Sequence, residues 1–245
     1  MEKHTIRYSN KLIEFELYRK NVKNINLRVK PNMSVVVSAN SKVSIDQILK
    51  FVKSKAPWIL KNINHFKNIS PKQSVKKKYI SGETFRYLGK QYRLKLEDID
   101  NKESVKYYQG YIYLYTKDKS NYQHKEKLIN NWYKSKAEEK FKDSLNKMYP
   151  IIEKYGIKKP KLKIRKMKAR WGSCIINKNT IILNLELIKA PKHCIDYVVL
   201  HELIHFKYRN HNNDFYSFLT SLMPDWKQRK KILNEVAREY LLDRF

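Results

Sequence analysis

The sequence predicts an α+β fold: a strand-rich first half, then a half organised around one buried helix. Three observations carry this. Short segments between residues 4 and 115 alternate apolar and polar side chains, the period of half-buried strands. From residue 122 onward apolar residues recur at steps of three and four, the period of helices. Between Val198 and Phe206 the chain is apolar except at three positions, so that helix is buried and its polar residues need partners. A mostly antiparallel sheet packed on this helix is expected. The division expected is residues 1–117, strand-rich with an inserted helix, and residues 118–245, a second domain.

Taken in order, Ile6 to Tyr8 and Leu12 to Leu17 read as a hairpin around Ser9-Asn10. Ile25, Leu27 and Val29 alternate, Pro31-Asn32 turns the chain, and residues 34–38 form the next strand. Ser44-x-x-Gln47 is a capping box that opens a helix with Ile45, Ile48, Leu49 and Val52 on one face. Pro57 kinks it or begins a second helical segment, and residues 68–78 read as a flexible connection. Strands follow at 84–88, 91–96, 104–108 and 111–115, with Gly89-Lys90 and Gln109-Gly110 as turns. Tyr107, Tyr108, Tyr111, Tyr113 and Tyr115 fill sheet faces, or stack on bases beside lysines. Residues 122–155 are helical, with Pro150 a point of interruption. Residues 161–167 and 180–187 read as strands with a turn at 170–174 between them, and helices are expected near 213–222 and 225–241.

The bulk composition is that of a globular, strongly basic chain: 42% hydrophobic residues and a net charge of +30 over 245 residues. Such a charge attracts phosphate backbones, but abundant Lys, Asn and Ile also follow from an AT-rich genome, so nucleic-acid contact and a solvated lysine surface both stand. No apolar run approaches a membrane span. The N-terminus lacks the apolar core of a secretory signal, and Cys174 and Cys194 form no disulfide framework. These features predict a cytoplasmic protein with two buried thiols.

The chemistry lies in His201-Glu202-x-x-His205. Residues four apart on a helix share a face, so two neutral imidazoles there can bind one Zn²⁺. Glu202 stands beside them as general base for a metal-activated water. His211 completes the H-E-x-x-H-x-x-x-x-x-H spacing of the metzincins, although Tyr208 replaces their glycine. Asn210 offers a left-handed turn residue before His211. Three protein ligands leave a position for water or substrate, which marks a catalytic zinc; Glu235 and Glu239 are the alternatives to His211 as third ligand.

Arg170-Trp-Gly-Ser-Cys174, Asn184, Ala190-Pro191, Val199-Leu-His-Glu-Leu-x-His205 and Asn210-His211-x-x-x-Phe215 occur in that order. With Leu27-Arg-Val, Trp58-Ile-Leu and the 81–89 stretch, the chain resembles the YgjP-like family of metal-dependent hydrolases, relatives of the SprT-like metalloproteases. The resemblance implies a zincin-like C-terminal half, His201, His205 and His211 as metal ligands, and Glu202 as catalytic glutamate. The leading function is a zinc-dependent peptidase, with a protein or peptide as substrate. Ile175, Leu185-Glu186 and Tyr216 depart from the family pattern without touching those residues. In zincins a strand beside the helix pairs with substrate, which would fall to 180–185, while Tyr208, Tyr216, Arg170 and Arg209 are candidates to stabilise an oxyanion. The competing functions are a zinc hydrolase of a non-peptide amide or ester, and a basic nucleic-acid-associated protein with a non-catalytic zinc.

Overall fold

The structure, a computed structural model, describes residues 1–30, 32–68, 77–167 and 170–241, with side chains at all of these except 65–68 and 237–241. The chain forms two compact units, Met1–Val75 and Lys76–Leu241. The boundary expected at 117/118 therefore falls inside the second unit. There Leu94, Ile112 and Leu114 of the strands share a core with Ile129 and Trp132 of the long helix and Leu200 of the buried one.

In the first unit, β1 (Glu2–Tyr8), β2 (Lys11–Arg19), β3 (Asn26–Val29) and β4 (Val35–Ala39) form one sheet in the order β1-β2-β4-β3. The β1/β2 hairpin turns at Ser9, whose φ is 52°. Phe15, Leu17, Val35 and Val37 face inward and pack on Ile48, Val52 and Ile59 of α1 (Ile45–Ser54) and α2 (Ala56–Asn68). Ser44 caps α1 by accepting from the Gln47 N–H at 3.4 Å. Pro57 lies in the first turn of α2, where its missing N–H costs nothing.

The second unit opens with β5 (Thr84–Tyr87), β6 (Lys90–Asp98), β7 (Ser104–Tyr108) and β8 (Tyr111–Thr116), ordered β5-β6-β8-β7. Strand order and directions repeat those of the first sheet: an antiparallel hairpin, a parallel central pair, a second antiparallel pair. The two hairpin turns are Leu88-Gly89 (φ 49° and 82°) and Gln109-Gly110 (φ 42° and 81°), one position earlier than expected for the first. Positive φ at both central residues matches the twist of the flanking strands. Next, α3 (Tyr122–Glu153) runs through Pro150 without a break, because only its final turn follows the proline.

A third sheet, β10-β11-β9, comprises β9 (Lys161–Arg165), β10 (Gly172–Ile175) and β11 (Thr180–Asn184). Here β11 is antiparallel to β10 and parallel to β9. Antiparallel pairing predominates among the described strands, as expected, but every sheet also contains one parallel pair. Residues 172–175 are strand rather than turn, and β11 ends at Asn184, giving way to a 3₁₀ turn over Leu185–Lys189. Helices α4 (Lys192–Ile204), α5 (Asn213–Leu222) and α6 (Trp226–Leu241) close the chain. The connection expected at 68–78 lies mostly outside the described residues. No described helix is long and apolar enough to cross a membrane.

Candidate metal centre

Helix α4 is fixed before it carries any chemistry. Ile195, Val199, Leu200, Leu203 and Ile204 are fully buried around it. Buried Asp196 accepts hydrogen bonds from Ser144 Oγ at 2.7 Å and Lys147 Nζ at 2.6 Å, which ties α4 to α3. Its entry is held by the β5–β6 turn: the Leu88 and Gly89 N–H groups donate to the carbonyls of Ile188 and Lys189 at 3.0 and 2.9 Å.

His201 stands in the last turn of α4 and His205 caps its C-terminus. The His205 Nδ1 lies 3.0 Å from the Tyr208 carbonyl. That acceptor requires N–H at Nδ1 and leaves the Nε2 lone pair for a metal. The chain then turns without glycine and without a left-handed Asn210. Asn212 stops the turn by capping α5, its Oδ1 accepting from the Phe215 N–H at 3.0 Å, and this sets His211 opposite His201. Their Nε2 atoms are 2.9 Å apart, and one ring nitrogen from each of the three histidines lies within 4.8 Å of the others. Tetrahedral zinc with Zn–N of about 2.0–2.1 Å would separate its nitrogens by about 3.4 Å, so the set is close to closing on an ion. Fully buried Phe215 supports all three imidazoles, with ring centroids 5.0, 4.8 and 4.8 Å from His201, His205 and His211.

Burial, reinforced by His205, His211 and Lys230, pushes His201 down to about 3. Burial, then His205 and Lys230, also lowers His211. Both are therefore neutral at neutral pH, as metal ligation requires. His201 Nδ1 is a buried atom without a hydrogen-bond partner. Among the described residues these histidines are the one His/Cys/Asp/Glu group close enough to share a metal, and Glu235 is not part of it. The Glu239 side chain lies outside the described residues.

Residues 23–236 match a family described as YgjP-like, metallopeptidase domain. The chain belongs to the YgjP-like family. It is accordingly a metal-dependent hydrolase of metallopeptidase type, and peptidases act on proteins or peptides. Two solved structures are similar to part of it. The metallopeptidase zymogen abylysin of Pyrococcus abyssi is 22% identical, with a TM-score of 0.35 over 41% of this chain and 94% of its own. The metallopeptidase zymogen jannalysin of Methanocaldococcus jannaschii is 26% identical, with a TM-score of 0.33 over 39% and 96%. Among curated proteins none matches.

In this YgjP-like chain Glu202 lies beside the histidines, only 6% exposed. Burial pushes its carboxyl up to about 8, against the opposing pull of Arg170. The space it fills exists because residue 172 is glycine: a Cβ there would sit 2.5 Å from Glu202 Oε1 and 2.7 Å from Cγ. Asn184 holds the loop before that glycine. Its Nδ2 donates to the carbonyls of Met167 and Arg170 at 2.8 and 3.0 Å, and its Oδ1 accepts from the Met167 N–H at 3.2 Å.

A cleft of about 590 Å³ opens over the histidines and Glu202. Arg170, Arg209 and Tyr216 line it, whereas Tyr208 packs instead on Phe218 at 5.4 Å between ring centroids. Sequence reasoning missed Gly172, Tyr197, Lys230 and Asn234, which also line it. Their only signal was membership of motifs or helices already marked as structural. The expected substrate strand needs correction too. Strand β11 is flanked on both sides, while β9 and β10 are the edge strands, and of these β10 contributes Gly172, Ser173 and Cys174 to the cleft. Burial, then Glu202, raises the Cys174 thiol to about 12, and burial raises Cys194 to about 11 against Arg229. Neither thiol is in the metal group.

Proposed function

We propose that this protein is a zinc-dependent peptidase in which His201, His205 and His211 hold the ion and Glu202 is the general base. The observation that carries this reading is the convergence of three imidazoles beside one buried carboxyl in an open cleft. When bound, zinc supplies a Lewis acid for the scissile carbonyl, acidifies water, and draws the Glu202 carboxyl back toward its ionised form. Glu202 takes a proton from the attacking water at one carboxylate oxygen. It then delivers that proton to the leaving nitrogen as the C–N bond breaks. Gly172 keeps the carboxyl in place, and the edge strand β10 supports an extended peptide as the substrate rather than a small amide or ester, because backbone addition needs a free strand edge.

The test pairs metal content with turnover of a peptide or unfolded protein. Wild type should carry about one zinc per chain. Glu202→Gln should keep it while hydrolysis falls at least about a hundredfold, since Gln cannot accept the proton. His201→Ala should lose both. A Glu202→Gln enzyme as fast as wild type would remove the base from this scheme.

A further inference from the structure

We propose that the outward face of the β5–β8 sheet binds single-stranded nucleic acid, with Tyr111, Tyr113 and Tyr115 stacking on its bases. Along β8 the side chains alternate strictly: Ile112, Leu114 and Thr116 are buried inward, and the three tyrosines face out, half-buried. Their ring centroids are 6.1 and 6.2 Å apart, and the planes of Tyr113 and Tyr115 differ by 18°. That spacing comes from the pleat, which returns every second residue to one face. It is close to two base-stacking steps of roughly 3.4 Å, so each ring can take one unstacked base.

The register surrounds this row with cations. Arg93 and Lys95 of β6 stand opposite Tyr111 and Tyr113, and Lys106 of β7 stands opposite Tyr113 on the other side. Lys95 Nζ is 4.2 Å from the Tyr111 ring centroid, and Lys106 Nζ is 5.7 Å from that of Tyr115. Among the described residues none of these three cations is in an ion pair. Glu97, opposite Tyr115, puts one carboxylate at the end of the row. Every base has a π-face, so a tyrosine ladder accepts any sequence, and flanking lysines neutralise phosphates. A duplex keeps its bases stacked and cannot use the rings. An acidic peptide would use the cations but has no flat groups for the three rings, of which Tyr113 and Tyr115 lie within 18° of parallel and Tyr111 is tilted 53° from Tyr113. The platform involves none of the residues of the metal centre, so it does not depend on the peptidase reading.

The full-length chain should bind labelled oligo-dT or oligo-rU at low salt. Affinity should fall steeply between about 50 and about 200 mM salt as phosphate contacts release counterions. Tyr113→Ala should weaken binding roughly tenfold, the effect of one lost stacking partner, and Tyr113→Phe should bind like wild type. Tyr113→Leu keeps apolar bulk on the sheet without the ring, so its loss of binding with an unchanged melting temperature separates stacking from folding. A Lys95→Gln, Lys106→Gln double variant should flatten the salt dependence by about two contacts. Three results would overturn the proposal: no binding at low salt, Tyr113→Leu binding as tightly as wild type, or duplex, polyphosphate or an acidic peptide binding as tightly as the oligonucleotides.

Discussion

Gly172 has no left-handed φ; what it supplies is space. A methyl group there would stand 2.5 Å from Glu202 Oε1 and 2.8 Å from Cδ, well inside contact distance. Those atoms are the far end of a side chain, so Gly172→Ala should move the carboxyl rather than unfold the strand. We expect turnover to fall about a hundredfold or more while zinc per chain stays unchanged, because a displaced base loses its geometry but the imidazoles keep theirs. Full activity in Gly172→Ala would show that the carboxyl has room elsewhere. At this scale the grouping of the three histidines was legible, since helical spacing stacks His201 on His205 and His211 follows at the metzincin interval. Gly172 was not, because its role depends on a distance between segments thirty positions apart in the chain. Asn184 was visible as a motif residue, but its function as a clamp on the Met167 and Arg170 carbonyls needs coordinates.

Among the elements, helices were the most legible. The 122–155 pattern gave α3, and Pro224 separated α5 from α6. Strand pairing was less so: alternation reveals a strand's faces but not its neighbours, and the parallel pairs in all three sheets come from crossovers that no local pattern encodes. The β5–β6 turn shows how an element's local chemistry reaches the site. Gly89 has φ +82°, and a Cβ on it would stand 2.7 Å from Pro191 Cγ and 3.1 Å from Pro191 Cα, at the entry to α4. Gly110 is a matched control, with φ +81° and no atom within 4 Å of the same ideal Cβ. Left-handed strain alone costs about 1–2 kcal/mol, so Gly110→Ala should lose about that much in chemical denaturation. Gly89→Ala should lose more, by about 1–3 kcal/mol, the usual penalty of overpacking. Equal losses in the two variants would mean that Pro191 yields freely and that the turn does not brace the metal helix.

For the whole molecule, the same burial that prepares the site sets how the metal-free protein responds to pH. Glu202 is raised from an ordinary 4.5 to about 8. A raised carboxyl contributes stability that is fully present below the unfolded value, about 4.5, and lost as pH rises toward 8. His201 has the opposite sign: lowered from 6.5 to about 3, its contribution is present above 6.5 and lost as pH falls toward 3. Metal-free protein is thus squeezed from both sides, and the alkaline side belongs to Glu202. Glu202→Gln removes the ionisable group at nearly constant size, so it should stabilise metal-free protein at pH 7 by on the order of 3 kcal/mol. The gain should reach its full size near pH 8 and vanish near pH 4.5. Both proteins retain His201, so their difference isolates the carboxyl. The measurement is a set of melting temperatures for chelator-treated wild type and Glu202→Gln at acid, neutral and alkaline pH. A gain of several degrees at pH 8 that closes at pH 4.5 is the expected result. Parallel curves at every pH would mean that water or Arg170 keeps the carboxylate charged at no cost, and that the site is not the dry pocket its burial describes.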